Sequence, residues 1–300
     1  MDNALSPVDM LAIAEATVDS VSPAFIDGLG ARPARFKGEG DFATEVDLAI
    51  ESELRQSLTQ LTGIPVFGEE TGAAAPGATY DRGAAEYAAA SESAARSPHF
   101  LEQQEGADAA RIKALTSGPV WVVDPIDGTA NYAAGNPLCG VLVALLMEGK
   151  PVAAVADFPL LGRRVAAAEG APLRSVGGPR GGFGGGPDAL GFEDSRGHIG
   201  CSSHRSTGIY RHLRHTGLRP RMTGSVGLDT AFVAQGVFDG ALNFSIHPWD
   251  NAAGALLVKA AGGIATDPEG NEWTALSRGL VVGTPQVHAT LMDAIDKNRI

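Results

Sequence analysis

Basic residues and cysteine are scarce in this 300-residue chain, and no long apolar run is present. Lysine and arginine total 23 against 35 acidic residues, for a formal net charge of −12 and a pI near 5. So acidic a surface repels a phosphate backbone, which excludes electrostatic nucleic-acid binding as the main role. Two cysteines, Cys139 and Cys201, cannot build a disulfide framework, and Cys139 falls in an apolar stretch where a thiol serves as a small core residue. The longest wholly apolar run, Val141 to Met147, is too short to span a bilayer. The opening Met1-Asp2-Asn3 has neither the basic start nor the apolar segment of a secretion signal, so a cytoplasmic protein with no membrane partner is expected. The seven histidines offer no close pair at ligand spacing on a helix face, and no cysteine pair accompanies them, which argues against zinc. His204, His212 and His215 read as surface residues. Hydrophobic residues make up 44% of the chain, enough for one large domain or two tightly joined halves.

The most informative run is Trp121-Val122-Val123-Asp124-Pro125-Ile126-Asp127-Gly128-Thr129-Ala130-Asn131-Tyr132. An apolar strand ends in two aspartates separated by Pro125 and Ile126. Proline fixes φ and removes a donor, so a regular ladder is expected to break there. Carboxylate and carbonyl oxygens crowded into four residues suit a hard divalent cation, Mg²⁺ first. Gly128 allows close backbone approach, and the following residues can open a helix whose free N–H groups face an anion. The same run is also a good turn on residue preference alone. Other acidic positions tip the balance.

Pro65-Val66-Phe67-Gly68-Glu69-Glu70-Thr71 carries an apolar strand into paired glutamates. On an extended strand these point to opposite faces, one toward a metal and one toward a water. A solvated strand end is the plainer alternative. His247-Pro248-Trp249-Asp250 precedes a helical stretch that stops at Gly262-Gly263, which puts Asp250 at the preferred N-cap position with Trp249 shielding one side. Thr44 and Asp47 imitate a capping box, with Val46, Ile50 and Leu54 at helical spacing and Asp47 and Glu51 on the neighbouring face.

Helices are expected over 5–30, 45–61, 225–234, 251–261 and 285–296. Strands are expected near 65–67, 120–123, 138–147 and 151–158, with Glu148-Gly149-Lys150 turning a hairpin. This mixed order suits an α/β or α+β layered fold. An alanine-rich stretch, 73–117, reads as a surface excursion with helices at 84–95 and 100–115. The run 177–186 has the composition of a flexible linker.

Together these blocks resemble the inositol monophosphatase family, the magnesium-dependent, lithium-sensitive sugar phosphatases. The resemblance is carried by Asp41 to Asp47, Gly68-Glu69-Glu70, Asp124 to Thr129, the Gly224-Ser225 segment, and Trp249-Asp250 with its helix, in that order across nearly the whole chain. Details after Asp127 look most like an actinobacterial branch. The resemblance implies an αβαβα sandwich. Residues 1–160 would form an α+β half with most of the metal ligands, and 161–300 an α/β half with Asp250, the two making one catalytic unit. It further implies two Mg²⁺ ions, with a weaker third through Asp47. Glu69, Asp124 and the Ile126 carbonyl would take the first ion, and Asp124, Asp127 and Asp250 the second. Glu70 and Thr129 would orient the attacking water. Gly128 and Thr129 would hold the phosphate, and Gly224, Ser225, Val226, Asn243 and Asp250 would border the polyol. Asn243 stands where animal enzymes have a glutamate, which leaves the polyol open. The expected reaction is hydrolysis of myo-inositol 1-phosphate by a homodimer. Histidinol phosphate or another sugar phosphate, or a non-enzymatic metal- or polyol-binding role, remains the alternative. Asn131-Tyr132 argues against nucleotide substrates, and the lack of a basic cluster argues against a bisphosphate.

Overall fold

The computed structural model describes residues 5–38, 41–73, 111–178, 197–201, 209–213 and 215–298. Both helices expected in the alanine-rich stretch (apart from 111–115), most of the glycine-rich run and His204 lie outside them.

Helix α1 (Pro7–Asp27) starts at a capping box made by Ser6 and Asp9. A hairpin of β1 (Pro33–Gly38) and β2 (Asp41–Thr44) follows, then α2 (Glu45–Thr62). Thr44 and Asp47 do form the box their spacing predicts, with the Thr44 N–H donating to Asp47 Oδ2 at 2.8 Å. Strands β3 (Val66–Gly68), β4 (Gly72–Ala73) and β5 (Pro119–Asp127) precede a one-turn helix α3 (Thr129–Ala133). Then come β6 (Gly140–Met147), β7 (Lys150–Phe158), β8 (Arg163–Ala168), β9 (Arg174–Val176) and β10 (His198–Gly200). Beyond these are α4 (Tyr210–Leu213), β11 (Arg219–Arg221), α5 (Val226–Ala234), β12 (Gly240–Asn243), α6 (Pro248–Ala260), β13 (Ile264–Thr266), β14 (Leu280–Gly283) and α7 (Pro285–Asn298).

Two sheets organise the molecule. The larger has the order β4-β3-β5-β6-β7-β8-β9 and continues past residue 160 to Val176; the smaller has the order β11-β10-β12-β14-β13. Three clusters of buried side chains fill the spaces between layers. Met10, Leu11, Val18, Phe25, Ile50, Leu54 and Leu58 of α1 and α2 pack on Trp121, Val123, Val141, Val143 and Val155, one face of the larger sheet. The alternate residues Val120, Val122, Leu142, Ala144 and Ala156 face α5 and α6, which also cover Ala241 and Val282 of the smaller sheet. Leu242 and Val281 point the other way, onto Leu291, Ala294 and Ile295 of α7. The strand period of two thus sends successive residues to opposite layers. The result is the αβαβα sandwich that the resemblance implies. Both faces of the larger sheet are covered, which explains why β5 and β6 read as continuous apolar runs rather than alternating ones. The strands β1, β2, β4 and β8 to β14 were not legible in the sequence, being short or lying among polar and glycine-rich residues.

Candidate active site

Strand β5 runs through Pro125 rather than ending before it. Its pairing with β6 shifts register between Asp124 and Asp127, the irregularity that a residue without an N–H imposes. Asp124 turns back so that its Oδ1 accepts the Ile126 N–H at 3.1 Å. Gly128 follows at φ +87°, and a Cβ there would lie 3.0 Å from the Leu138 carbonyl, so only glycine suits the position. It delivers the chain into α3. The Thr129 hydroxyl lies 3.0 Å from the Ile126 carbonyl and 3.2 Å from Asp47 Oδ1. Asp47, on the first turn of α2, is fully buried and so joins the capping box to the aspartate run.

Asp127 is held from the other half of the chain. Its carboxylate accepts the Ser225 hydroxyl, the Val226 N–H at 3.1 Å and the Gly227 N–H at 2.9 Å. Ser225 is the N-cap of α5, and its oxygen also takes the Leu228 N–H at 3.1 Å. The negative carboxylate therefore sits on the positive end of a helix. Asn131 reinforces the junction by donating to the carbonyls of Leu138 and Thr223 at 2.7 and 2.8 Å.

Glu69 and Glu70 lie in the turn after β3, not on an extended strand. They therefore diverge less than strand neighbours, and one cation reaches both: Lys37 Nζ is 2.7 Å from Glu69 Oε1 and 2.5 Å from Glu70 Oε1. Lys37 is only 9% exposed. It arrives from β1, a residue that the sequence reading missed because nothing in the local pattern marks it.

Asp250 is not the N-cap of α6. His247 holds that place, Pro248 begins the helix, and Asp250 lies in the first turn, where its Oδ2 accepts the Ser245 hydroxyl at 2.5 Å. Trp249 is stacked between Phe67 and His247, with ring centroids 5.7 and 4.7 Å apart. Asn243 is buried, and its amide is engaged within the protein. Its nitrogen donates to Asn251 Oδ1 and its oxygen accepts the Ser245 N–H, both at 2.9 Å.

Electrostatics shows which acids share a neighbourhood. Burial pushes the Asp124 carboxyl well above the usual range, and the charges of Glu69, Asp127 and Asp250 push it further. Burial raises Asp250 in the same way, followed by the Glu69 charge. Asp127 is pushed up by burial to about 6, although Ser225 and the backbone N–H groups of Gly227 and Val226 oppose the rise. Glu70 reaches about 8 through burial and the Glu69 charge, against Lys37. Burial also raises Glu69 and Asp47. Burial alone would lower Lys37, but the two glutamates outweigh it and raise its pKa. Asp124 in turn lowers the Glu69 carboxyl, opposing part of the rise that burial causes. Glu69, Asp124, Asp127 and Asp250 thus lie close enough to feel one another's charge, with Glu70, Asp47 and Thr129 alongside. Among the described residues no three acidic, histidine or cysteine side chains converge on a single point at ion-binding distance. Lys37, Ser225 and Ser245 hold the individual oxygens instead.

Five layers bring a cluster of buried, mutually repelling carboxylates to the meeting of the two sheets' helices. The chain belongs to the inositol monophosphatase family, whose family model matches residues 9–299. It is 36% identical to inositol-1-monophosphatase ImpA of Mycolicibacterium smegmatis, over 95% of this chain and 91% of that protein. A probable inositol 1-monophosphatase ImpA of Mycobacterium tuberculosis is 35% identical over 98% and 96%. The Escherichia coli Nus factor SuhB is 30% identical over 84% of this chain and 81% of that protein. The fold also matches the solved Thermotoga maritima IMPase TM1415, with a TM-score of 0.70 at 21% identity over 97% of this chain and 98% of that one. Such enzymes are generally metal-dependent. Among the described residues no helix is long and apolar enough to cross a membrane.

Proposed function

We propose that the chain is a Mg²⁺-dependent phosphomonoesterase that hydrolyses myo-inositol 1-phosphate to inositol and phosphate. The observation that carries this reading is the gathering of Glu69, Asp124, Asp127 and Asp250, from three separate stretches of chain, into one strongly negative and largely buried pocket. Buried carboxylates at such mutual cost call for a compensating cation. The donor set is all oxygen, which suits a hard ion. Glu70 Oε2 is buried and has no hydrogen-bond partner among the described residues, an acceptor that fits a bound water or ion.

In this reading Glu69, Asp124 and the Ile126 carbonyl would hold one Mg²⁺, and Asp124, Asp127 and Asp250 would be drawn together by a second, since the three do not converge at ion-binding distance as they stand. Bound Mg²⁺ supplies Lewis acidity, offsetting charge on the phosphoryl and leaving oxygens. Glu70 accepts the proton of the attacking water through its open oxygen. Burial and the Glu69 charge raise its pKa to about 8, and a cation on Glu69 would remove the second cause, shifting Glu70 toward the ionised form that can take the proton. Thr129 directs its hydroxyl proton toward Asp47 or Ile126, which turns its lone pairs toward the water. Asp47 fixes that polarity and would help hold a third Mg²⁺. The N–H groups of Gly128 and Thr129 serve the phosphate oxygens. Gly224, Ser225 and Val226 border the ring. Ser225 and Val226 already hold Asp127, so they shape that wall more than they bind hydroxyls. Asn243 plays a similar part, because its amide is spent on Asn251 and Ser245.

The likeness to proteins named inositol-1-monophosphatase favours this substrate. A homodimer in the cytoplasm is the expected setting, with lithium as an inhibitor. Phosphate release from myo-inositol 1-phosphate, histidinol phosphate and other sugar phosphates, with and without Mg²⁺, tests the proposal. Faster release from histidinol phosphate would reassign the substrate. No Mg²⁺-dependent release from any of them would refute the enzymatic reading and favour a binding role.

A further inference from the structure

We infer that Glu51 is a positioning residue for the reaction: from the second turn of α2 it holds the backbone that presents Glu69 and Glu70. Glu51 is fully buried, and with Asp47 it is one of two acids that the helix buries beside Ile50, Leu54 and Leu58. Its Oε2 accepts the Glu70 N–H at 2.7 Å; its Oε1 accepts the Thr71 N–H at 3.0 Å, the Thr71 hydroxyl, and Arg55 Nη2 at 3.1 Å. Every group it orders, Arg55 apart, belongs to the turn that carries the two glutamates. Arg55, one turn further along α2, completes the clamp by donating to the Val66 carbonyl at 2.5 Å, Thr71 Oγ1 at 2.6 Å and the Gly72 carbonyl at 3.0 Å. The strands entering and leaving the turn are thereby tied to one helix.

Gly68 gives an independent reason to read this as a built arrangement. A Cβ at that position would fall 2.3, 2.4 and 2.5 Å from the three carboxylate atoms of Glu51. The carboxylate of α2 lies flat against the strand where a side chain would otherwise stand, which only glycine permits. The same helix face carries Asp47, one turn earlier, which accepts the Thr129 hydroxyl. Helix α2 therefore spaces the glutamate turn from the aspartate run as a rigid rod. Partners that orient the ligands of a metal site typically change its affinity ten- to a hundredfold when altered.

This inference rests on the metal reading above, and the test separates the two. Glu51→Gln keeps shape but replaces one acceptor oxygen with an NH₂ that must face the Glu70 N–H or the donors on Thr71. Calorimetric titration of the metal-free, full-length chain with MgCl₂ should give a dissociation constant about tenfold to a hundredfold weaker than the wild type. The pMg profile of phosphate release should shift by the same factor, with turnover largely recovered at saturating Mg²⁺. Leu58→Ala is the control: it loosens the same helix at a buried residue remote from the turn, and should lower Tm while leaving Mg²⁺ affinity unchanged. Gly68→Ala, which presses a methyl group on the Glu51 carboxylate, should weaken Mg²⁺ in the same direction and provides the reading should Glu51→Gln not fold. An unchanged Mg²⁺ affinity in the folded Glu51 variant, or in Gly68→Ala, overturns the role of Glu51 alone. Equal losses from Leu58→Ala and Glu51→Gln at matched Tm overturn it as well. Failure of the wild type itself to take up Mg²⁺ overturns the metal reading first.

Discussion

Without divalent metal, the protein should lose stability as pH rises from 5 to 8. The cause is the mutual crowding of Glu69, Glu70, Asp47, Asp124, Asp127 and Asp250, of which the Lys37 ammonium pairs with Glu69 and Glu70. Each of these carboxyls has a folded pKa above its ordinary value. The folded state therefore binds more protons than the unfolded chain in the window between the two values. Stability contributed by such a group is complete below the unfolded pKa and is lost as pH climbs through the folded one. For Asp127 that window runs from 3.8 to about 6, and for Glu70 from 4.5 to about 8. At about 1.4 kcal/mol per pH unit, the part of the Asp127 window above pH 5 accounts for roughly 1–2 kcal/mol. A chain of this size has an unfolding entropy near 0.6 kcal/mol per degree, so about 2 °C of Tm is at stake from Asp127 alone, with the other raised carboxyls adding to it. Differential scanning calorimetry in EDTA, at 0.3 M NaCl to screen the surface charge, should show Tm falling by that amount or more between pH 5 and 8. Saturating Mg²⁺ should flatten the slope, because bound cations favour the ionised carboxylates. Asp127→Asn should reduce the slope in EDTA between pH 5 and 6. A Tm in EDTA that is level or rises over this range would refute the reasoning, since it would mean that these acids are not desolvated together.

Three further outcomes follow from individual contacts. Asp124→Asn should cut Mg²⁺-supported turnover at least about a hundredfold in phosphate-release assays, because one carboxylate serves both proposed ions; a near-normal rate would contradict the assignment. Lys37→Met should tighten Mg²⁺ binding several-fold by calorimetry while lowering the Tm of the metal-free protein, since it removes the cation that bridges Glu69 and Glu70; weaker Mg²⁺ binding would instead give Lys37 a supporting role in the loaded site. Tyr132→Phe should cost about 1–3 kcal/mol in urea unfolding, because the lost 2.6 Å bond leaves the Phe25 carbonyl buried and unpaired. A change within a few tenths would show that water replaces the hydroxyl.

Much of the site was legible before any coordinates, because its parts are short motifs whose chemistry is local. Asp-Pro-Ile-Asp-Gly-Thr sets its own bulge, turn and helix start through Pro125 and Gly128, whatever surrounds it. The Thr44–Asp47 box and the apolar spacing of α2 are equally self-contained. Other expectations failed where a boundary depended on neighbours. Asp250 looked like an N-cap because aspartate favours that position, yet Pro248 starts the helix earlier and leaves the cap to His247. Glu69 and Glu70 followed an apolar run and so read as strand, but β3 ends at Gly68, where Glu51 lies flat against the backbone.

Residue order alone settled the chemistry on offer: which oxygens stand beside a turn, where a helix opens, and that the surface is acidic. Tertiary structure decided the rest. Lys37 between the glutamates, Ser225 on Asp127, and Glu51 beneath the turn are pairings across 19 to 98 positions. No periodicity or propensity encodes them. They arise because sheet and helix layers must bury their apolar faces on one another, and that packing brings these polar groups into reach.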